Sequence, residues 1–158
     1  MAQLTHLDDQ GQARMVDVSG KEITTRRATA EAYVLLSEEA FNALANGLLK
    51  KGDALAVARI AGINGAKQTG TLIPLCHPLP ISGATVDFEL NQEEMTLRII
   101  TTVTIAARTG VEMEALTAAS LAALTVYDMC KAIDKGIVIR EVRLLSKEGG
   151  ASGQFLRT

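Results

Sequence analysis

Two histidines occur in this chain of 158 residues, and one of them, His77, stands in Leu75-Cys76-His77-Pro78 within a stretch that also carries Pro74 and Pro80. Prolines on both sides restrict the backbone. The loop therefore either buries an imidazole and a thiol in a turn, or presents the imidazole to a ligand at low entropic cost. A zinc centre from Cys76, His77 and Cys130 would use adjacent ligands without a spaced pair, which is not the usual arrangement, so no metal is expected. Glu112 and Glu114 open a long helical pattern, and Asp128 and Lys131 stand near its end. Acids at a helix start and cations at its end complement the helix dipole whatever else they do. Asp128 and Lys131, three residues apart, share a helix face, so the carboxylate can hold the ammonium or tune its proton affinity.

At ~1.5 Å rise per residue, Glu114 and Asp128 on one unbroken helix lie about 21 Å apart. They cannot meet on one small molecule, so a single type of site using both must be composite, with the two helix ends coming from different subunits. Among the cations Lys50, Lys51, Lys67, Arg108, Lys131, Arg143 and Lys147, several are placed at helix ends or loop edges where they can converge on an anion. Phosphate suits such a set, with Lys51 or Lys67 as point charges and Arg108 as a fork beside the N-terminus of the long helix. Neither G-x-G-x-x-G nor a Walker lysine motif is present, so an ordinary nucleotide fold is not supported.

The elements that must position these groups follow from the periodicity. Residues 1–28 are polar and turn-rich and read as an irregular arm. Ala30, Ala32, Val34 and Leu36 alternate, which predicts a strand over 29–36. Ser37 caps a helix ending near Lys50, and Asp53 caps a second over 54–67 whose Leu55, Ala58, Gly62 and Ala66 form a narrow small-residue face. A stiff proline loop follows Gly70. Val86, Phe88 and Leu90, then Leu97, Ile99, Thr101 and Val103, alternate on either side of a polar turn and predict a hairpin. The longest helix begins after Gly110, carries Lys131 and Lys135 at its end and stops at Gly136. IVIREVRLL reads as the last strand, and GGASGQ as a flexible tail. Strand, helix, helix, strand, strand, helix, strand is the order of an α+β, ferredoxin-like sandwich, an antiparallel sheet with helices on one face plus an extra helix. Residues 29–158 form a single domain on this reading.

The remaining composition mostly excludes. Sixteen Lys+Arg against 18 Asp+Glu give a net charge of −2, and with no Trp, two Tyr and three Phe the chain lacks a basic field or stacking platforms for nucleic acid. Two cysteines without a C-x-x-C pair suit the reducing cytoplasm. No apolar run approaches the ~20 residues of a membrane span, so neither a membrane nor a nucleic acid is expected as partner.

Taken together, MVDVS at 15–19, KGDALAVARIAGINGAK at 51–67, IPLCHPL at 73–79, TGVEMEALTAASLAALTVYDMCKA at 109–132 and VRLLSKEGGASG at 142–153 resemble the molybdenum cofactor biosynthesis protein C (MoaC) family. The resemblance implies a cytoplasmic lyase, a cyclic pyranopterin monophosphate synthase acting on a GTP-derived cyclic triphosphate with release of pyrophosphate. It also implies a homo-oligomer, a hexamer built as a trimer of dimers with sites at the dimer interface. No cofactor is implied beyond magnesium accompanying the triphosphate. By resemblance Asp128, Lys51 and Lys131 are catalytic, and Leu75, Cys76, His77, Met113, Glu114, Lys67, Glu112 and Lys147 line the substrate pocket. A desolvated lysine beside other cations has a lowered pKa and can act as a base near neutral pH, which is the role expected of Lys51 and Lys131. The chain departs from the family pattern at Leu49-Lys50, Arg108 and Ala151. Two other readings remain open on the residues alone: a sensor or carrier that binds a nucleotide or pterin without turnover, and a purely structural assembly protein.

Overall fold

The computed structural model describes residues 7–151 and 153–158, so residues 1–6 of the arm and Ser152 of the tail lie outside the described residues. Its elements run β1 (Thr24–Leu35), α1 (Glu38–Ala45), α2 (Ala54–Leu72), β2 (Gly83–Asn91), β3 (Thr96–Ala107), α3 (Glu112–Cys130), β4 (Val138–Glu148) and β5 (Phe155–Leu156). The five strands form one sheet in the order β2-β3-β1-β4-β5, and every pairing is antiparallel. With β5 set aside this is the ferredoxin-like arrangement, with α1 as the extra helix.

The alternation in β1 sends Ala28, Ala30, Ala32 and Val34 to the helix-covered face, where they are buried with Leu97, Ile99 and Val103 of β3. Helix α3 lies over β1, β3 and β4, and α2 packs on α3 and β2. The two helices approach closely because their facing residues are small. Ala58, Gly62, Gly65 and Ala66 of α2 are buried, and a Cβ at Gly62 would meet Val86 at 2.9 Å and the Ala118 carbonyl at 3.1 Å.

Several boundaries differ from the sequence expectation. Strand β1 starts at Thr24, inside the segment read as irregular, because residues 24–28 pair in register with 103–107 of β3. Helix α1 ends at Ala45, ahead of Lys50, where Gly47 takes a left-handed φ of 67°. Helix α2 continues past Lys67 to Leu72, and α3 stops at Cys130 with Lys131 as its C-cap, short of Gly136. Beyond the GGASGQ segment read as flexible, Phe155–Leu156 form a short β5 that pairs with Ser146 and Lys147. Among the described residues no helix is long and apolar enough to cross a membrane.

On the helix-free face of the sheet, Glu31 is 1% exposed and accepts from Arg98 Nε and Arg143 Nε, both at 2.7 Å. Arg98 also reaches Glu89 at 2.8 Å, and Arg143 reaches Glu141 at 3.2 Å. Burial alone would raise the Glu31 pKa, but hydrogen bonds from Arg143 and Arg98 outweigh it and hold the carboxyl below its ordinary value. Its stabilising contribution is therefore present above the unfolded pKa and is lost as pH falls through the folded one. Glu31→Gln is expected to cost about 2 kcal/mol at neutral pH, and to flatten the acid limb of a urea-denaturation series taken between pH 6 and pH 3. An unchanged acid limb would remove this group from the acid response.

Candidate active site

Helix α3 carries candidate groups at both ends, and the sheet decides what each end faces. Near its start, Thr101 of β3 donates to the Ala115 carbonyl at 2.7 Å, fixing the first turns on the sheet. That places Met113 and Glu114 in a cavity of about 420 Å³ with Leu75, Cys76, His77 and the arm residues Val16, Val18 and Lys21. The proline loop reaches this cavity because Gly70 of α2 lets it pass: a Cβ there would meet Pro78 Cα at 2.8 Å and the His77 carbonyl at 2.9 Å. Gly70→Ala must displace the loop, at a cost of about 1–3 kcal/mol. The expected outcome is a lower melting temperature with weakened ligand binding, both read from one thermal-shift titration; an unchanged binding curve would show that the loop yields without consequence.

A second, larger cavity of about 830 Å³ adjoins the first and shares Lys21, Thr109, Gly110 and Glu112 with it. Its further lining includes Arg26, Arg108, Gly150 and Ala151. Arg26 is buried and donates to the carbonyls of Gly149 at 3.1 Å and Arg108 at 3.4 Å, while its Nε has no hydrogen-bond partner. Lys147, on the helix-facing side of β4, meets Glu112 at 2.8 Å. The α3 N-terminus has no side-chain cap, so its amide groups add positive potential to those of Lys21, Arg26 and Arg108. Glu22 also lines the cavity and Glu112 is paired with Lys147, so the three cations leave it net positive, which suits an anion.

At the other end of α3, Asp128 is held between two cations, Lys131 at 2.7 Å and Lys51 at 2.9 Å. Lys51 Nζ also donates to the Asp128 carbonyl at 2.8 Å. Fourteen residues of helix still separate this cluster from Glu114, or about 21 Å. Within one chain the two groups of candidates do not meet. Lys67 is exposed on α2 and lines neither cavity.

The proton affinities at the two ends move in opposite directions. Glu114 is 3% exposed, and burial, helped by the neighbouring Glu112 charge, pushes its pKa up to about 7. The Cys76 thiol is likewise raised by burial, with the Glu114 charge adding to it. Asp128 is lowered to about 2 by its hydrogen bonds from Lys131 and Lys51. The expectation of a lowered lysine pKa fails for Lys131: its hydrogen bond to Asp128 raises it. Burial thus poises the Glu114 carboxyl to exchange a proton near neutral pH.

Sequence reasoning passed over Arg26 and Lys21. The signal for Arg26 was there: it shares the parity of Ala28 and Ala30, so a strand begun at Thr24 puts a cation on an otherwise apolar face. Lys21 belongs to an arm with no periodicity to read. Cys76 and Cys130 lie at opposite ends of α3, and among the described residues no three His, Cys, Asp or Glu side chains come together as a metal site.

Known proteins with similar sequences bear on the same residues. The chain is 55% identical over 155 residues to the cyclic pyranopterin monophosphate synthase of Desulfitobacterium hafniense, covering 98% of this chain and 94% of that protein. It is 56% identical over 152 residues to the protein of that name from Herpetosiphon aurantiacus, covering 96% and 93%. With that from a Nocardioides strain the identity is 57% over 155 residues, covering 98% and 95%. The model of the MoaC family matches residues 15–150, a span that holds the smaller cavity, the larger one but for Ala151, the proline loop and the Lys51–Asp128–Lys131 cluster, and the chain belongs to that family.

Proposed function

We propose that this chain is a cyclic pyranopterin monophosphate synthase, a lyase of molybdenum cofactor biosynthesis. It converts (8S)-3′,8-cyclo-7,8-dihydroguanosine 5′-triphosphate to cyclic pyranopterin monophosphate and pyrophosphate. The observation that carries this reading is identity of 55% or more, over nearly the whole chain, with proteins of that name. The site chemistry agrees with it. A ribose-derived hydroxyl attacking the α-phosphate closes the cyclic phosphate and expels pyrophosphate, and cations around the larger cavity would stabilise the leaving charge. Ring opening and pyranopterin closure require protons to move among nitrogens and oxygens. Glu114, Lys51, Lys131 and Asp128 are the groups for that.

The working enzyme on this reading is a homo-oligomer, a hexamer built as a trimer of dimers in the cytoplasm, with the α3 C-terminal cluster of one subunit completing the cavity of its neighbour. Two features support this. The 21 Å helix span separates groups assigned to one reaction, and Val57, Ile60 and Leu124 on α2 and α3 expose apolar surface between the two ends. Cys76, Leu75 and Met113 would hold the base portion of the substrate, with Glu112 and Lys147 beside it and the His77 backbone completing the loop that lines the cavity. No resident cofactor is assigned, and magnesium would arrive with the triphosphate. The deciding experiment mixes the purified chain with the cyclic triphosphate and follows pyrophosphate and the pterin product. Both should appear in equal amounts; saturable binding with neither would favour a sensor or carrier.

A further inference from the structure

The arm does not simply lie on the body of the protein. Among the described residues, two hydrogen bonds join residues 7–23 to the rest of the chain. His77 Nε2 meets the Val16 carbonyl at 2.8 Å, and Arg108 Nε donates to the Lys21 carbonyl at 2.9 Å. Between these points the segment is folded on itself, with Ser19 N donating to Asp17 Oδ1 at 2.9 Å and Lys21 N to the Val18 carbonyl at 3.0 Å. The clamped segment is a wall. Val16, Val18 and Lys21 line the smaller cavity, Lys21 lines the larger one too, and among the described residues Lys21 is the one cation common to both.

We propose that His77 and Arg108 are positioning residues whose ring and guanidinium N–H groups clamp residues 16–21 between the two cavities and thereby set Lys21 against a bound anion. A carbonyl oxygen only accepts, so the Val16 contact requires the His77 proton on Nε2. While the clamp is closed only Nδ1 of the ring is left to face a ligand. The chain of support runs from α2 through Gly70, which seats the His77–Pro78 backbone, to His77, to Val16 and on to Lys21. A loop stiffened by prolines suits this task, because the donor is held in place before ligand arrives.

The test separates clamp from contact. Hydrogen exchange of amides 14–21 is followed without ligand in wild type, His77→Ala, His77→Asn and His77→Gln, with melting curves to verify folding. A glutamine amide reaches about as far as Nε2 and can donate to Val16; an asparagine amide is too short. Exchange should quicken about tenfold in the Ala and Asn variants, the factor one hydrogen bond is worth, and stay near wild type in Gln. With substrate, Ala and Asn should raise KM about tenfold while kcat changes less than about threefold, with Gln restoring KM. Unchanged exchange in His77→Ala overturns the proposal, as does a Gln variant that keeps the arm protected but loses turnover, which would make the imidazole a substrate contact. Arg108→Ala should quicken exchange around Lys21 in the same way, and failure to do so removes Arg108 from the clamp. The kinetic half rests on the synthase reading. The exchange half needs no substrate, so a chain without turnover leaves it intact.

Discussion

Two inactive variants, Lys51→Ala and Glu114→Gln, are expected to restore activity when their subunits are allowed to exchange. Each alone should lose about 10³-fold or more in kcat, because each removes a proton-handling or charge-stabilising group from every site. Lys51 stands in the cluster at the C-terminal end of α3, and Glu114 in the cavity at the opposite end. On the composite-site reading, a dimer with one chain of each kind has one site with both groups intact and one with neither. Random mixing gives such dimers half the time, so about a quarter of all sites should work. Co-expression with two affinity tags, followed by turnover measurements on doubly selected protein, reads the result directly. Activity no higher than the sum of the parents would mean that each site is served by one chain, and the composite arrangement would fail.

Glu114→Gln carries the second large effect, in the direction opposite to its loss of turnover. The folded state raises this carboxyl to about 7 from an ordinary 4.5, by burial first and by the Glu112 charge next. Between those values the native protein binds a proton that the unfolded chain does not, so stability declines as pH rises through the window. Replacing the carboxyl with a neutral amide removes that penalty. The variant should be more stable than wild type by about 3 kcal/mol at pH 8 and about equal to it at pH 4. Urea unfolding of both proteins across that range measures the difference. A variant no more stable at pH 8 would show that the carboxyl is already ionised without cost, for instance because a cation from a neighbouring subunit sits against it. An active site that gains stability when its acid is neutralised is one in which burial, and the proton chemistry it creates, was retained at the expense of the fold.

Much of the architecture is legible without coordinates. The small-residue stripe of α2, the hairpin of β2 and β3 and the length of α3 are local regularities: alternation, helical spacing and caps act within a few residues. So is the pairing of Asp128 with Lys131, three residues apart on a helix. The boundaries that moved did so for non-local reasons. Residues 24–28 become strand because β3 offers a register for them, and Phe155 and Leu156 become strand because β4 has an open edge.

Sequence by itself also determined that Glu114 and Asp128 cannot act together within one chain, because helix rise is fixed by backbone geometry. What it could not determine is the environment of each group. Whether a lysine is lowered or raised depends on its nearest charge, and Asp128 settles that for Lys131. Arg26 and Lys21 enter the site through a strand register and an arm that two side-chain donors tie down. Those are contacts between residues distant in the chain, where electrostatics and desolvation depend on three-dimensional separation; the parity of Arg26 with Ala28 marks the face it points to, but spacing in sequence does not name its partners.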